Sequence, residues 1–245
     1  MLGHETVPVP GRRSYPSPIV DGQTPPTHVA FHGHVIGPFR TFSDAGSTRM
    51  TQFDLFAAAP ALPGLTHAPG VLPEGRLAAL AEAIDGAPLT PFRFQQWTGL
   101  RLTASYGWHY DFEAGRVGQA EPMPDWLLAV RDIAAGFAGV PADALVQALL
   151  IRYDAGAGIG WHRDRPVFEH VVGLSIGAPA TLRFRRRRAD GFDRFAQALA
   201  AGDAYHLTGE ARWDWEHGIA PMAATRWSIT FRSLTERFRR EIGVA

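Results

Sequence analysis

Residues 226–232 read Arg-Trp-Ser-Ile-Thr-Phe-Arg. So strict an alternation suits a β-strand buried on both faces. Trp227, Ile229 and Phe231 make an apolar packing face, while Arg226, Ser228, Thr230 and Arg232 share the other. Burying an unpaired guanidinium costs several kcal/mol, so the polar face needs an anion. Either protein carboxylates supply it or a bound anion does.

The rest of the chain fits around such a strand. Helical spacing of Leu77, Leu80, Ala81 and Ile84 predicts a helix over 74–84, and Trp126, Val130, Ile133 and Phe137 predict another over 125–138, with Asp125 capping it behind Pro124. Short strand-like runs follow at 145–153, 170–177, 180–187, 198–208, 211–219 and 226–234, separated by Gly, Pro and Asp. Helices first and many short strands after give an α+β, mainly β class, with helices packed on an antiparallel barrel or sandwich. Residues 1–49 hold seven of the 19 prolines and no helical or strand period. They read as a disordered or loosely attached leader, with Met50 a plausible true start. Residues 50–245 form one domain.

Composition narrows the chemistry. The chain has 245 residues and no cysteine, which excludes disulfides, zinc ribbons, iron–sulfur clusters and a thiol nucleophile. A metal must therefore be held by carboxylates and by some of the ten histidines. Net charge is zero, so no global field draws the chain to nucleic acid or membrane. All 24 basic residues are arginine. No apolar run is long enough to span a membrane and no signal peptide is evident. A soluble, cytoplasmic protein is expected.

Gly-Ile-Gly-Trp-His-Arg-Asp places His162 and Asp164 two residues apart, on one side of a strand end. His217 ends the run Ala-Arg-Trp-Asp-Trp-Glu-His, where Trp213, Trp215 and His217 would share a strand face. Two histidines and one carboxylate form the facial triad of non-haem iron(II) oxygenases, leaving three coordination positions for a 2-oxo acid and dioxygen. His-x-Asp alone is a weak signal. The polar face of 226–232 strengthens it. Arg226 would fork onto the remote carboxylate of a dicarboxylate, and Arg232 would sit near the iron end, against the other carboxylate or Asp164. The two Cα atoms are roughly 20 Å apart at ~3.3 Å per residue, so both need not grip one carboxylate.

These residues together resemble the AlkB family of 2-oxoglutarate- and Fe(II)-dependent dioxygenases. The likeness runs from about Trp97 to Leu234 and is strongest in IRYDAGAGIGWHRD, VVGLSIGAPATLRF, EARWDWEHGI and RWSITFR. It implies a double-stranded β-helix, or jelly-roll, with its core at about 145–234. It implies Fe(II) on His162, Asp164 and His217, and 2-oxoglutarate on Arg226, Arg232, Ser228 and Tyr153, with O2 as oxidant. Ser228 stands where the family has Asn, and Ile151 where it has another. The implied reaction hydroxylates an N-alkyl group, which then leaves as formaldehyde, while 2-oxoglutarate becomes succinate and CO2.

Alkylated bases in DNA or RNA are the family's usual substrates, so nucleic acid is the expected partner of a monomeric enzyme. Trp108, Tyr110, Trp161 and Arg212 are the candidate substrate contacts, although each aromatic taken singly is more often core. Arg183 and Arg185 would face outward beside inward Leu182 and Phe184, and could hold phosphates. Arg165-Pro166 follows Asp164 where the best-known repair members carry acidic residues. The same oxygenase chemistry on methylated protein, transfer RNA or a small metabolite is the alternative. A non-catalytic metal-binding jelly-roll is a further one, and an Arg-rich binding module without metal leaves the triad unexplained.

Overall fold

Two antiparallel sheets face each other in a computed structural model that describes residues 61–94, 97–111 and 116–242. The leader expected over 1–49 and the alternative start at Met50 lie outside those residues. The elements run β1 (Leu65–Ala68), α1 (Glu74–Asp85), β2 (Thr90–Phe94), β3 (Trp97–Asp111), β4 (Arg116–Gln119) and α2 (Asp125–Ala138). They continue with β5 (Leu145–Tyr153), β6 (Ile159–His162), β7 (Phe168–Gly177), β8 (Ala180–Arg188) and β9 (Gly191–Leu199). Last come β10 (Ala204–Leu207), α3 (Gly209–Trp213), β11 (Glu216–Ile219), β12 (Arg226–Leu234) and α4 (Glu236–Glu241).

The larger sheet has eight strands in the order β1-β10-β7-β12-β5-β3-β2, with β4 attached to β3. The smaller has four, in the order β6-β11-β8-β9. This is the jelly-roll expected from the sequence. The alternating strand β12 lies inside the larger sheet, between β7 and β5. Its apolar side belongs to a core shared with the helices. Ile229 and Phe231 pack there with Leu80 and Ile84 of α1, with Leu127, Val130 and Ala134 of α2, and with Leu150, Val172 and Leu174. A second core lies between the sheets and includes Ile151, Tyr153, Leu182, Phe184, Tyr205, Trp215 and Ile219. Apolar burial on both sides of one sheet is why its central strands need side chains facing each way.

Four expectations need correction. Pro124, not Asp125, is the residue before the first turn of α2, and Asp125 is the first helical residue. The run 198–208 is two strands, because the chain turns between Leu199 and Ala204 with Gly202 at φ 88. The run 211–219 is strand only from Glu216, since Gly209–Trp213 is a short helix. Trp213 therefore does not share a strand face with His217; it is 37% exposed, while Trp215 is buried. Finally, strands precede α2, as β2, β3 and β4 extend the larger sheet.

Registers in the larger sheet fix the layout of its inner face. Tyr153, Arg226 and Gly177 form one cross-strand row, and Ile151, Ser228 and Ser175 the next. Then come Leu149, Thr230, Gly173 and Tyr205, and finally Gln147, Arg232 and Val171. Leu102 pairs with Arg152, so Arg101 lies beside Tyr153 and extends the first row onto β3.

Candidate metal centre

His162 closes β6 and pairs in register with His217 on β11. The strands approach closely here. A Cβ on Gly218 would lie 2.8 Å from the Ile159 carbonyl oxygen, so only glycine fits beside His217. The two imidazole centroids are 4.4 Å apart. Nδ1 of His162 is 2.9 Å from the Gly160 carbonyl oxygen; donation to it fixes the proton on Nδ1 and leaves the Nε2 lone pair bare. Asp164 follows two residues later, with Oδ2 3.4 Å from His217 Nε2. One donor atom from each of His162, Asp164 and His217 lies within 4.8 Å of the others.

Electrostatics prepare this trio for a cation. Burial pulls His217 down to about 3, with His162 adding to the effect and Asp164 opposing it. Burial also lowers His162, against the pull of Asp164. Both rings are thus neutral near pH 7, as ligands must be. Burial alone would raise the Asp164 carboxyl, but Arg232 chiefly, then the two histidines, hold it well below the usual carboxylate range.

Arg232 sits on Asp164, with Nε 2.8 Å and Nη2 2.7 Å from the same oxygen, Oδ1. Its Nη1 donates to Gln147 Oε1 at 3.0 Å. Asp164 Oδ2 is left fully buried without a hydrogen-bond partner. An orphaned, ionised oxygen facing two neutral imidazoles suits a divalent metal, and the all-N/O donor set suits iron(II).

Arg226 is 1% exposed, and only Nη2 has a partner, Ser175 Oγ at 3.2 Å. Its Nε and Nη1 are buried without acceptors. The guanidinium carbon lies 5.3 Å from the centre of the Tyr153 ring. Ser228 is buried in the adjoining row, opposite Ser175. No ion pair to Arg226 occurs among the described residues. A buried guanidinium so under-satisfied fits a carboxylate arriving from outside.

Tyr205 reaches the same region from β10. A Cβ on Gly173 would lie 2.2 Å from its ring, so the ring crosses over β7 where any larger residue would block it. Burial pushes its hydroxyl up to about 12, with Arg226 opposing. Sequence reading missed Tyr205 because only the β10–β7 register reveals its glycine partner. It also missed Arg101. There the signal was present, since Arg101, Thr103 and Ser105 alternate with Leu102, Ala104 and Tyr106 much as the residues of β12 do.

A cavity of about 1240 Å3 opens on the centre, with His162, Asp164, Trp161, Phe168, Gln147 and Arg232 in its wall. Trp161 lies beneath the guanidiniums of Arg185 at 4.6 Å and Arg183 at 5.1 Å. Arg183 has no ion pair among the described residues, whereas Arg185 is neutralised by Glu216 at 2.6 Å. Farther along β8, Arg186 and Arg188 pair with Asp193. The basic row is thus largely self-compensated.

Two expected substrate residues, Trp108 and Arg212, stand outside the cavity wall, and the side chain of a third, Tyr110, lies outside what the structure describes. Trp108 is half-buried opposite Gln119 of β4 and is not in the cavity wall. Tyr110 shares that hairpin, with its backbone opposite Val117. Arg212 is 3% exposed and gives its donors to backbone carbonyls: Asp164 at 3.3 Å, Arg165 at 2.7 Å and Phe168 at 2.5 Å. It braces the loop that carries Asp164; its remaining Nε is buried without a partner, and the residue is not in the cavity wall.

Comparison with known proteins gives a family. The model described as the 2OG-Fe(II) oxygenase superfamily matches residues 64–235. Among curated proteins none matches significantly. Solved structures share the fold. OsALKBH1 is 15% identical with a TM-score of 0.54, covering 71% of this chain and 99% of its own. A prolyl-4-hydroxylase of Pseudomonas putida is 18% identical with a TM-score of 0.49, covering 70% and 93%. A 2OG-Fe(II) oxygenase family oxidoreductase of Burkholderia pseudomallei is 15% identical with a TM-score of 0.49, covering 70% and 85%. No described helix is long and apolar enough to cross a membrane.

Proposed function

The chain belongs to the 2OG-Fe(II) oxygenase superfamily, and from that premise we propose that it removes alkyl groups oxidatively from bases in DNA or RNA. Family membership brings Fe(II), 2-oxoglutarate and O2. When bound, they supply the oxidising power that hydroxylates a C–H bond and yield succinate and CO2.

The residues divide the remaining work. His162, Asp164 and His217 hold the iron. Arg232 covers Asp164 Oδ1, so that Oδ2 alone is offered to the metal. Arg226 takes the remote carboxylate of 2-oxoglutarate, with Ser228 and Tyr153 beside it.

One observation carries the choice of substrate. The cavity at about 1240 Å3 exceeds what a drug-sized ligand fills. Its wall includes Trp161, with Arg183, which has no ion pair among the described residues, 5.1 Å from the ring; an aromatic face beside an uncompensated cation suits a base and its phosphate. Resemblance to the AlkB family in RWSITFR and the metal motif supports the same reading, as does the fold shared with OsALKBH1.

A panel of methylated single- and double-stranded oligonucleotides, read by mass spectrometry, tests it, with His162→Ala as control. Loss of the methyl group with matching formaldehyde and succinate is expected, and none from the control. Succinate formation with every oligonucleotide untouched points instead to methylated protein, transfer RNA or a small metabolite. Absence of succinate under iron, oxygen and 2-oxoglutarate points to a non-catalytic metal-binding jelly-roll.

A further inference from the structure

Arg101 is 7% exposed and lines the cavity, yet makes no hydrogen bond or ion pair with any described residue. Its guanidinium carbon rests 3.7 Å above the centre of the Phe92 ring, itself in the cavity wall. Burial lowers its pKa, with Tyr153 opposing. Stacked on one face and surrounded by protein, the group keeps its planar fork of donors for the cavity.

Most of the described charges around it are positive. Arg93, Arg101, Arg163, Arg165 and Arg232 line the cavity, and Asp164 is the only carboxylate in its described wall. That carboxylate is held by Arg232 and faces the two metal-binding histidines. Among the described residues of this wall no carboxylate is left to balance a cation brought in from solution. A cationic methylated base such as 1-methyladenine or 3-methylcytosine would enter a positive field without a counter-charge. A neutral base with carbonyl oxygens, such as 3-methylthymine, would instead meet a donor.

We propose that Arg101 is a specificity residue, donating to carbonyl or anionic acceptors on the methylated group and making the cavity select neutral, acceptor-rich groups over cationic ones. The inference rests on the nucleic-acid reading above and names the class of base.

Matched single-stranded oligonucleotides carrying one 3-methylthymine, 1-methyladenine or 3-methylcytosine test it in wild type, Arg101→Gln and Arg101→Glu. Formaldehyde release is one readout; fluorescence anisotropy of iron-free protein is the other. Wild type should favour 3-methylthymine by roughly tenfold or more in both. Arg101→Gln should erase most of that ratio and Arg101→Glu should invert it. If the variants melt early, the wild-type ratio alone decides. A ratio near one, or one favouring the cations, overturns the proposal. Preferential binding of 3-methylthymine without formaldehyde upholds Arg101 and overturns dealkylation. Binding of all three no tighter than the unmodified strand overturns both.

Discussion

Truncating Arg212 to Ala should loosen the metal centre without touching it. The guanidinium is buried and is the shared donor to three backbone carbonyls of the loop 164–168. Without it those oxygens lose a charged partner in a dry environment. Water and relaxation recover some of the loss, so the net cost should be about 3–5 kcal/mol. For a domain of this size that corresponds to a melting point lower by roughly 6–20 °C. The assay is thermal unfolding of iron-free protein, which separates the brace from any metal contribution. Iron affinity, measured next, should fall roughly 10- to 100-fold, because Asp164 hangs on the loosened loop. Arg212→Lys keeps the charge but not the fork, and should fall between. The contrary result is specific. A substrate-binding Arg212 would raise KM and leave unfolding unchanged. Destabilisation below about 1 kcal/mol would refute the brace.

Arg226→Met should leave iron-free protein as stable as wild type or more so, since it removes an under-satisfied buried charge. Its affinity for 2-oxoglutarate should drop roughly 100-fold by calorimetry; a stability loss of several kcal/mol would show that the guanidinium already had its partner. Gly173→Ala should cost about 1–3 kcal/mol in a denaturant titration because its Cβ meets the Tyr205 ring. Tyr205→Ala in the same chain should recover most of that cost, and simple additivity would refute the clash. His206 is pushed down to about 4 by burial and by His170, whose Nδ1 lies 2.9 Å from its Nε2. A folded pKa below the unfolded value near 6.5 makes this stability complete above about pH 6.5 and lost as pH falls towards 4, by about 2–3 kcal/mol. His206→Asn should flatten that part of the stability profile, and an unchanged slope would refute the assignment.

What the sequence revealed follows from range. The alternation in β12 was legible because one strand's two faces are a local fact, and its burial between β5 and β7 bore it out. The triad was legible because His162 and Asp164 are close in sequence. Helix α3 was not. Five residues are too few to display a helical period, and Ala211, Trp213 and Trp215 imitate strand alternation. The role of Arg212 was hidden for a different reason. Its acceptors are backbone carbonyls distant in sequence, and carbonyls leave no trace in residue identity. Arg101 carried a usable pattern, but its strand lies upstream of the run of short strands that begins at Leu145.

The placement of β6 has a kinetic consequence. Among the described residues this four-residue strand is the border of the smaller sheet and is hydrogen-bonded on one side only, to β11. His217 lies on an interior strand, and Asp164 is clamped from the opposite sheet. One of the three ligands is thus mounted on the part of the centre that can fray first. A metal held here would have a hinge side, and its exchange rate is expected to follow the opening of that border more than the strength of the three bonds.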